Sequence, residues 1–205
     1  MAQGCSQLRF PAVTTSPPDR PRIDVFLPIY DVGEVYQIGI NAPPSVVYQS
    51  LLRSDFNDLW LVRLLMTIRT GKRPPRNRVP GAPPQRLQGT GFVILDDIPG
   101  EELVIGVAGK FWRPDGGRCL DLTAGDFVGF SAPGHAKAAW NFRFRIDSPE
   151  CTVLSTETRI KCFGRAALWK FRFYWSLVSP FSGLIRKAIL KSVKVEAESI
   201  FTEPS

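Results

Sequence analysis

The stretch from Gly164 to Glu203 constrains the fold most, because its pattern cannot be stable without something to lie on. Apolar residues recur at Leu168, Phe171, Trp175 and Val178, and again at Ile185, Ile189 and Val193. Steps of three and four describe a helix with one buried stripe. Lys170, Arg186, Lys187, Lys191 and Lys194 fill the outer positions. A stripe this long and aromatic needs a broad apolar surface beneath it. Ser179-Pro180 interrupts it, since Ser is a good N-cap and Pro fits the first helical turn. A proline inside an unbroken helix costs about 3 kcal/mol. The expectation is therefore two helices, or one sharply kinked between Val178 and Gly183, the second running from Phe181 to near Ile200.

The segment before it can supply the surface. Ile98-Pro99-Gly100-Glu101 suits a type II turn, and Pro114-Asp115-Gly116-Gly117, Ala132-Pro133-Gly134 and Ser148-Pro149-Glu150 are further turns. Between them lie Phe92–Asp97, Glu102–Trp112, the section Cys119–Ser131, His135–Asp147 and Thr152–Phe163. Each reads as a short strand of period two, and tight turns make such strands antiparallel neighbours. In His135–Asp147, Ala136, Ala138, Trp140, Phe142, Phe144 and Ile146 share one face, and Lys137, Asn141, Arg143 and Arg145 the other, so one face is buried and one wet. Leu154, Thr156, Thr158 and Ile160 form the inward set of the next strand. Leu103, Ile105, Val107, Gly109 and Phe111 form that of Glu102–Trp112, although Val104 and Trp112 contradict it.

Upstream, Met1–Arg22 is rich in Pro, Ser and Thr without periodicity and reads as a flexible arm or an extended wrap over the domain. Ile23–Tyr30 reads as a short extended piece, which Pro28 keeps out of a sheet centre. Gly33–Asn41 alternates and is the first strand. Ala42-Pro43-Pro44-Ser45 then stops the strand and starts a helix over Val46–Leu52, and Leu59, Val62, Leu65 and Met66 give a second. Gly71–Gly89, with five prolines, four arginines and a lysine, is a surface loop inserted in a single domain spanning 23–203.

Composition excludes several classes. No run of about 18 apolar residues exists for a transmembrane helix, and the N-terminus lacks a signal-peptide layout. One histidine and four cysteines without C-x-x-C spacing argue against a metal site, and no cofactor motif is present. Cysteines without a disulfide pattern fit a reducing cytoplasm. The net charge of +7 is concentrated, with no acid between Asp58 and Asp96 or between Glu157 and Glu196. Arg73, Arg76, Arg78, Lys187 and Lys191 could meet an anionic lipid or protein surface, although solvated faces are the plainer reading; nucleic acid is not expected.

One strand, two short helices, an antiparallel meander and a long C-terminal helix is the order of the helix-grip fold, an α+β class. Ile40-Asn41-Ala42-Pro43-Pro44-Ser45-Val46-Val47-Tyr48-Gln49-Ser50-Leu51, followed by Asp55 and Trp60, resembles the strand-to-helix signature of the START-like superfamily, which includes Bet v 1-type proteins and polyketide cyclases. Ser155-Thr156-Glu157-Thr158-Arg159-Ile160 looks like the last strand of uncharacterised bacterial members. The resemblance covers roughly Gly33 to Glu198. It implies a curved sheet around the C-terminal helix and a cavity between them for apolar ligands such as lipids, sterols, polyketides or quinones. Some members are cyclases or hydratases, and many only bind or carry.

The expected ligand-binding residues are Ile105, Phe111, Trp140, Phe142, Thr156, Thr158, Phe171, Trp175 and Ile185. The aromatics either line a pocket or fill a solid core. Thr156 and Thr158 are more telling, since a buried hydroxyl needs a partner and a ligand could be one. No catalytic set is visible. His135, the only imidazole, points outward from a turn, and Gly89-Thr90-Gly91 precedes a strand and so is no phosphate loop. A binding or carrier protein for a small apolar or amphipathic ligand is the expected function. The alternatives are a cyclase- or hydratase-like enzyme on a hydrophobic substrate and a basic adaptor on anionic membrane or protein.

Overall fold

The computed structural model describes residues 20–54, 91–113 and 120–202. The helix expected over 59–66, the loop 71–89, the turn 114–117 and nearly all of the arm 1–22 lie outside these residues. The elements are α1 (Ile23–Phe26), β1 (Val32–Ile40), α2 (Pro44–Arg53), β2 (Phe92–Ile98), β3 (Glu102–Gly109), α3 (Ala124–Gly129), β4 (Ala136–Ser148), β5 (Cys151–Cys162) and α4 (Arg165–Thr202).

The five strands form one antiparallel sheet in the order β1-β5-β4-β3-β2. Strands β2 to β5 are the expected meander, and β1 closes its far edge by pairing with β5. The turn at Gly100 has the positive φ, 77°, that a type II turn demands at its third residue, and Glu101 N donates to Ile98 O. The curved sheet and the long helix α4 laid on it make an α+β helix-grip architecture.

Two apolar clusters fill the space under α4. Leu190, Val193 and Ala197 meet Val47 and Leu51 of α2 and Leu103, Phe142, Phe144 and Leu154 of the sheet. Nearer the start of α4, Ala167 and Phe171 meet Val107, Ala136, Ala138 and Ile160. Gly183 is buried where α4 crosses β1, and a Cβ there would stand 2.6 Å from the Tyr36 hydroxyl.

Five expectations are corrected. First, α4 is continuous for 38 residues with Pro180 inside it. Proline removes the N–H that Ser176 O would accept, but Ser176 and Pro180 are both exposed, so water can satisfy that carbonyl. Second, Ile23–Tyr30 begins with a helical turn. The Glu102 carboxylate, buried at its base, accepts from Arg22 N at 2.9 Å and Ile23 N at 3.3 Å. An anion at the N-terminal end of a helical turn satisfies its free donors.

Third, the section Cys119–Ser131 carries a helix rather than a strand. Thr123 Oγ1 accepts from Asp126 N at 3.2 Å, while the Asp126 carboxylate accepts from Thr123 N at 3.1 Å. These are the reciprocal bonds of a capping box, and donation by the Thr123 hydroxyl first and the Thr123 N–H second holds the Asp126 carboxyl below its usual range. Fourth, the second face of the sheet is wet only in part, at Val35 and Arg145 for example. Ile23, Leu27, Leu95, Val104, Phe127 and Ala139 form a third cluster there, covered by α1 and α3. Val104, awkward for a one-faced β3, belongs to it. Lys137 is buried on that face and donates to Phe127 O and Val128 O at the end of α3. Arg159, also buried there, pairs with Asp24 and Glu157 and lies over the Tyr30 ring at 4.9 Å. Fifth, β3 ends at Gly109, so Phe111 stands in the turn beyond it.

Candidate functional site

A cleft of about 180 Å³ opens between β3–β4–β5 and the first half of α4, beside the cluster around Phe171. Helix α4 contributes Phe171, Tyr174, Trp175, Ser182 and Arg186. Residues 171, 175, 182 and 186 follow at steps of four, seven and four, so they lie along one helix face. The sheet contributes Phe92, Val107, Ala138, Trp140, Thr158 and Ile160, with Phe111 from the turn after β3. Trp140 meets the Phe92 ring edge-on at 5.1 Å, and Phe171 stacks on Trp175 at 5.6 Å.

Five of the nine expected residues therefore meet at one place: Phe111, Trp140, Thr158, Phe171 and Trp175. Four do not line it. Ile105 and Phe142 are packed in the neighbouring solid core, because the helix lies flush on that part of the sheet. Ile185 is half-buried and turned away, since one residue along a helix rotates the side chain by about 100° from Arg186. Thr156 is buried just beside the cleft and binds one of its lining residues.

That lining residue is Arg186, which the sequence placed on the outer face. Its Nη1 donates to Thr156 Oγ1 at 3.3 Å, and its Nε is buried without a partner. Among the described residues Arg186 makes no ion pair. Burial pulls its pKa down, opposed by the nearby Glu34 and Tyr36. The Glu34 carboxylate lies 3.5 Å from the Tyr36 hydroxyl, within reach of a hydrogen bond from it. The Thr158 hydroxyl is likewise buried and unpartnered. An apolar cleft thus carries a cation and a hydroxyl with hydrogen-bonding capacity to spare. The missed signal was the helical step from Phe171 and Trp175 to Arg186, which puts a guanidinium on the apolar stripe.

Other chemical groups have structural roles. His135 Nδ1 lies 3.1 Å from Pro133 O, and its ring meets Phe130 edge-on, so it belongs to the turn. Asp97 accepts from the Tyr48 hydroxyl at 2.7 Å, and burial followed by this bond pushes the phenol up to about 12. Asp96 pairs with Arg22. Cys162 is a buried free thiol, whereas Cys151 is disulfide-bonded, which corrects the expectation of unpaired cysteines. Among the described residues no cluster of metal ligands occurs, and no helix is long and apolar enough to cross a membrane.

No protein-family model matches the sequence, and no curated protein matches it. Among solved structures, the chain is similar to a structural-genomics protein of Chromobacterium violaceum, at 14% identity and a TM-score of 0.34 over 80% of this chain and 97% of that one. It is similar to a Thermus thermophilus protein at 10% identity and a TM-score of 0.34, covering 82% and 99%. It is also similar to the Zhui aromatase/cyclase of a Streptomyces species at 13% identity and a TM-score of 0.29, covering 82% and 93%. Likeness this distant assigns no family, and the helix-grip architecture rests on the chain's own strands and helix.

Proposed function

We propose that the chain is a START-like binding or carrier protein that holds a small apolar or amphipathic ligand in the cleft between the sheet and α4. The observation that carries this reading is the buried, unpartnered Thr158 hydroxyl on the sheet side of the cleft, where its fellow lining residues Phe92, Val107, Ala138, Trp140 and Ile160 are apolar. A buried polar group without a bond costs about 1–3 kcal/mol, and a ligand atom would recover it. Aromatic walls from Trp140, Phe171 and Trp175 supply the desolvation that drives binding of an apolar body. The volume is small for a binding site, so the ligand, or the part of it enclosed, is no larger than about one ring with a short substituent.

The test is native mass spectrometry of protein purified without detergent, followed by titration with neutral monocyclic aromatics read by tryptophan fluorescence. Retained mass or saturable quenching is expected in wild type, with quenching lost in Ala138→Phe, which fills the cleft. Absence of both in wild type would leave a solid domain and end the carrier reading.

A second reading is docking on an anionic membrane surface. Trp169, Phe173, Leu177, Phe181 and Leu184 form an exposed stripe on the other side of α4, with Trp169 and Phe173 more than 70% exposed. Lys170 and Arg172 flank it, and Lys187 and Lys191 continue the positive charge. An apolar stripe with basic flanks suits the lipid interface. Arg73, Arg76 and Arg78 lie outside the described residues. Sedimentation with phosphatidylserine vesicles should show binding that weakens with salt and is lost in Trp169→Ser/Phe173→Ser. No binding, or equal binding to neutral vesicles, would remove this reading.

A further inference from the structure

We infer that the cleft recognises a small aromatic monocarboxylate, with the free edge of Arg186 and the Thr158 hydroxyl as donors to the carboxylate. The inference rests on the cleft being a ligand site and adds the chemistry of its ligand.

The guanidinium decides the class. In arginine, Nε–H and one N–H of Nη2 point the same way as a two-pronged fork, while Nη1 lies on the side of Cδ. Here Nη1 is occupied by Thr156 Oγ1. Nε has no partner, and Nη2 has none among the described residues, so the fork itself is what remains free. A fork of two parallel N–H groups matches the two oxygens of a carboxylate. A neutral carbonyl would use half of it. A dianionic phosphate would bring a second charge into a wall whose one cation is Arg186 and whose other polar residues, Thr158, Tyr174 and Ser182, are neutral, which is costly.

The rest of the wall decides the body. A cavity of about 150 Å³ lined by apolar side chains accommodates benzene, and this cleft is about 180 Å³. Trp140, Phe92 and the stacked pair Phe171–Trp175 present ring faces and edges to it. Burial lowers the pKa of the guanidinium, and the nearby Glu34 and Tyr36 offset that only in part.

Benzoate and benzamide, equal in shape, are the probes, titrated into the full chain and followed by calorimetry. Benzoate should bind about tenfold tighter or more, the ratio a charge-assisted bond adds over a neutral one. In Arg186→Met the preference should vanish while benzamide still binds. Thr158→Val should weaken benzoate several-fold. Hexanoate and decanoate form a further arm: binding equal to or tighter than benzoate would replace the aromatic acid by an alkyl one. If benzamide binds as well as benzoate, or if Arg186→Met keeps the preference, the carboxylate inference is overturned and the cleft reading stands. If none of the four compounds binds, the carboxylate inference falls, and the mass and fluorescence test above decides the cleft reading separately. Should Arg186→Met fail to fold, the wild-type ratio alone decides.

Discussion

Gly183 of α4 and Tyr36 of β1 meet so closely that a Cβ on the glycine would lie 2.6 Å from the tyrosine hydroxyl and 3.3 Å from Cζ. The helix can approach this edge strand only because the side chain is missing. The same approach brings Arg186, three residues on, within reach of Thr156, which pairs with Tyr36 across the sheet. Gly183→Ala should therefore lower stability, since overpacking costs about 1–3 kcal/mol and the helix propensity gained returns about 1. In a Tyr36→Phe background the loss should shrink, because the nearest atom is gone. Urea unfolding of the four proteins measures the coupling. Stabilisation by Gly183→Ala in both backgrounds would show that the helix does not lie this close.

Pro180 within α4 gives a prediction of opposite sign. The helix runs through it, so replacing it restores the N–H that Ser176 O would accept and removes the ring. Pro180→Ala should raise stability by up to about 3 kcal/mol. The reading is a shift of the denaturation midpoint with unchanged slope. Loss of stability would mean that the proline begins a separate helix in solution, as the sequence by itself suggests.

The Cys162 thiol is pushed from its ordinary 9.0 up to about 12, by burial first and by the Asp31 carboxylate second. A raised folded value favours the neutral thiol. Its contribution to stability is therefore fully present below 9.0 and is lost as pH climbs from there towards about 12. Alkylation by iodoacetamide near the ordinary thiol pKa should be far slower in native than in urea-unfolded protein. Cys162→Ala should flatten the alkaline part of the stability curve by this group's share. Native labelling at the unfolded rate would show the site to be open.

What was legible in the sequence was whatever spacing and turn chemistry decide locally. Period two marked β1, β2, β4 and β5, Pro-Gly pairs marked the turns, and steps of three and four marked α4. Thr158, Trp140, Phe171 and Trp175 could be assigned to one interior because alternation fixes the face of a strand or helix. The Thr123–Asp126 capping box was equally local and could have been read.

Tertiary structure decided the rest. A strand's alternation says which residues share a face, but not whether the second face is covered, and α1 and α3 cover part of it here. Pro180 carries a strong local penalty that packing of α4 on both sides of it outweighs. Arg186 looks from its charge like a surface residue, yet the close contact at Gly183 draws its turn of helix inward. Residue order alone was enough for β1, β2, β4, β5 and the helical stripe of α4, because those follow from neighbours along the chain. Where a cleft remains open, and which cation looks into it, follows only from how the helix sits on the sheet.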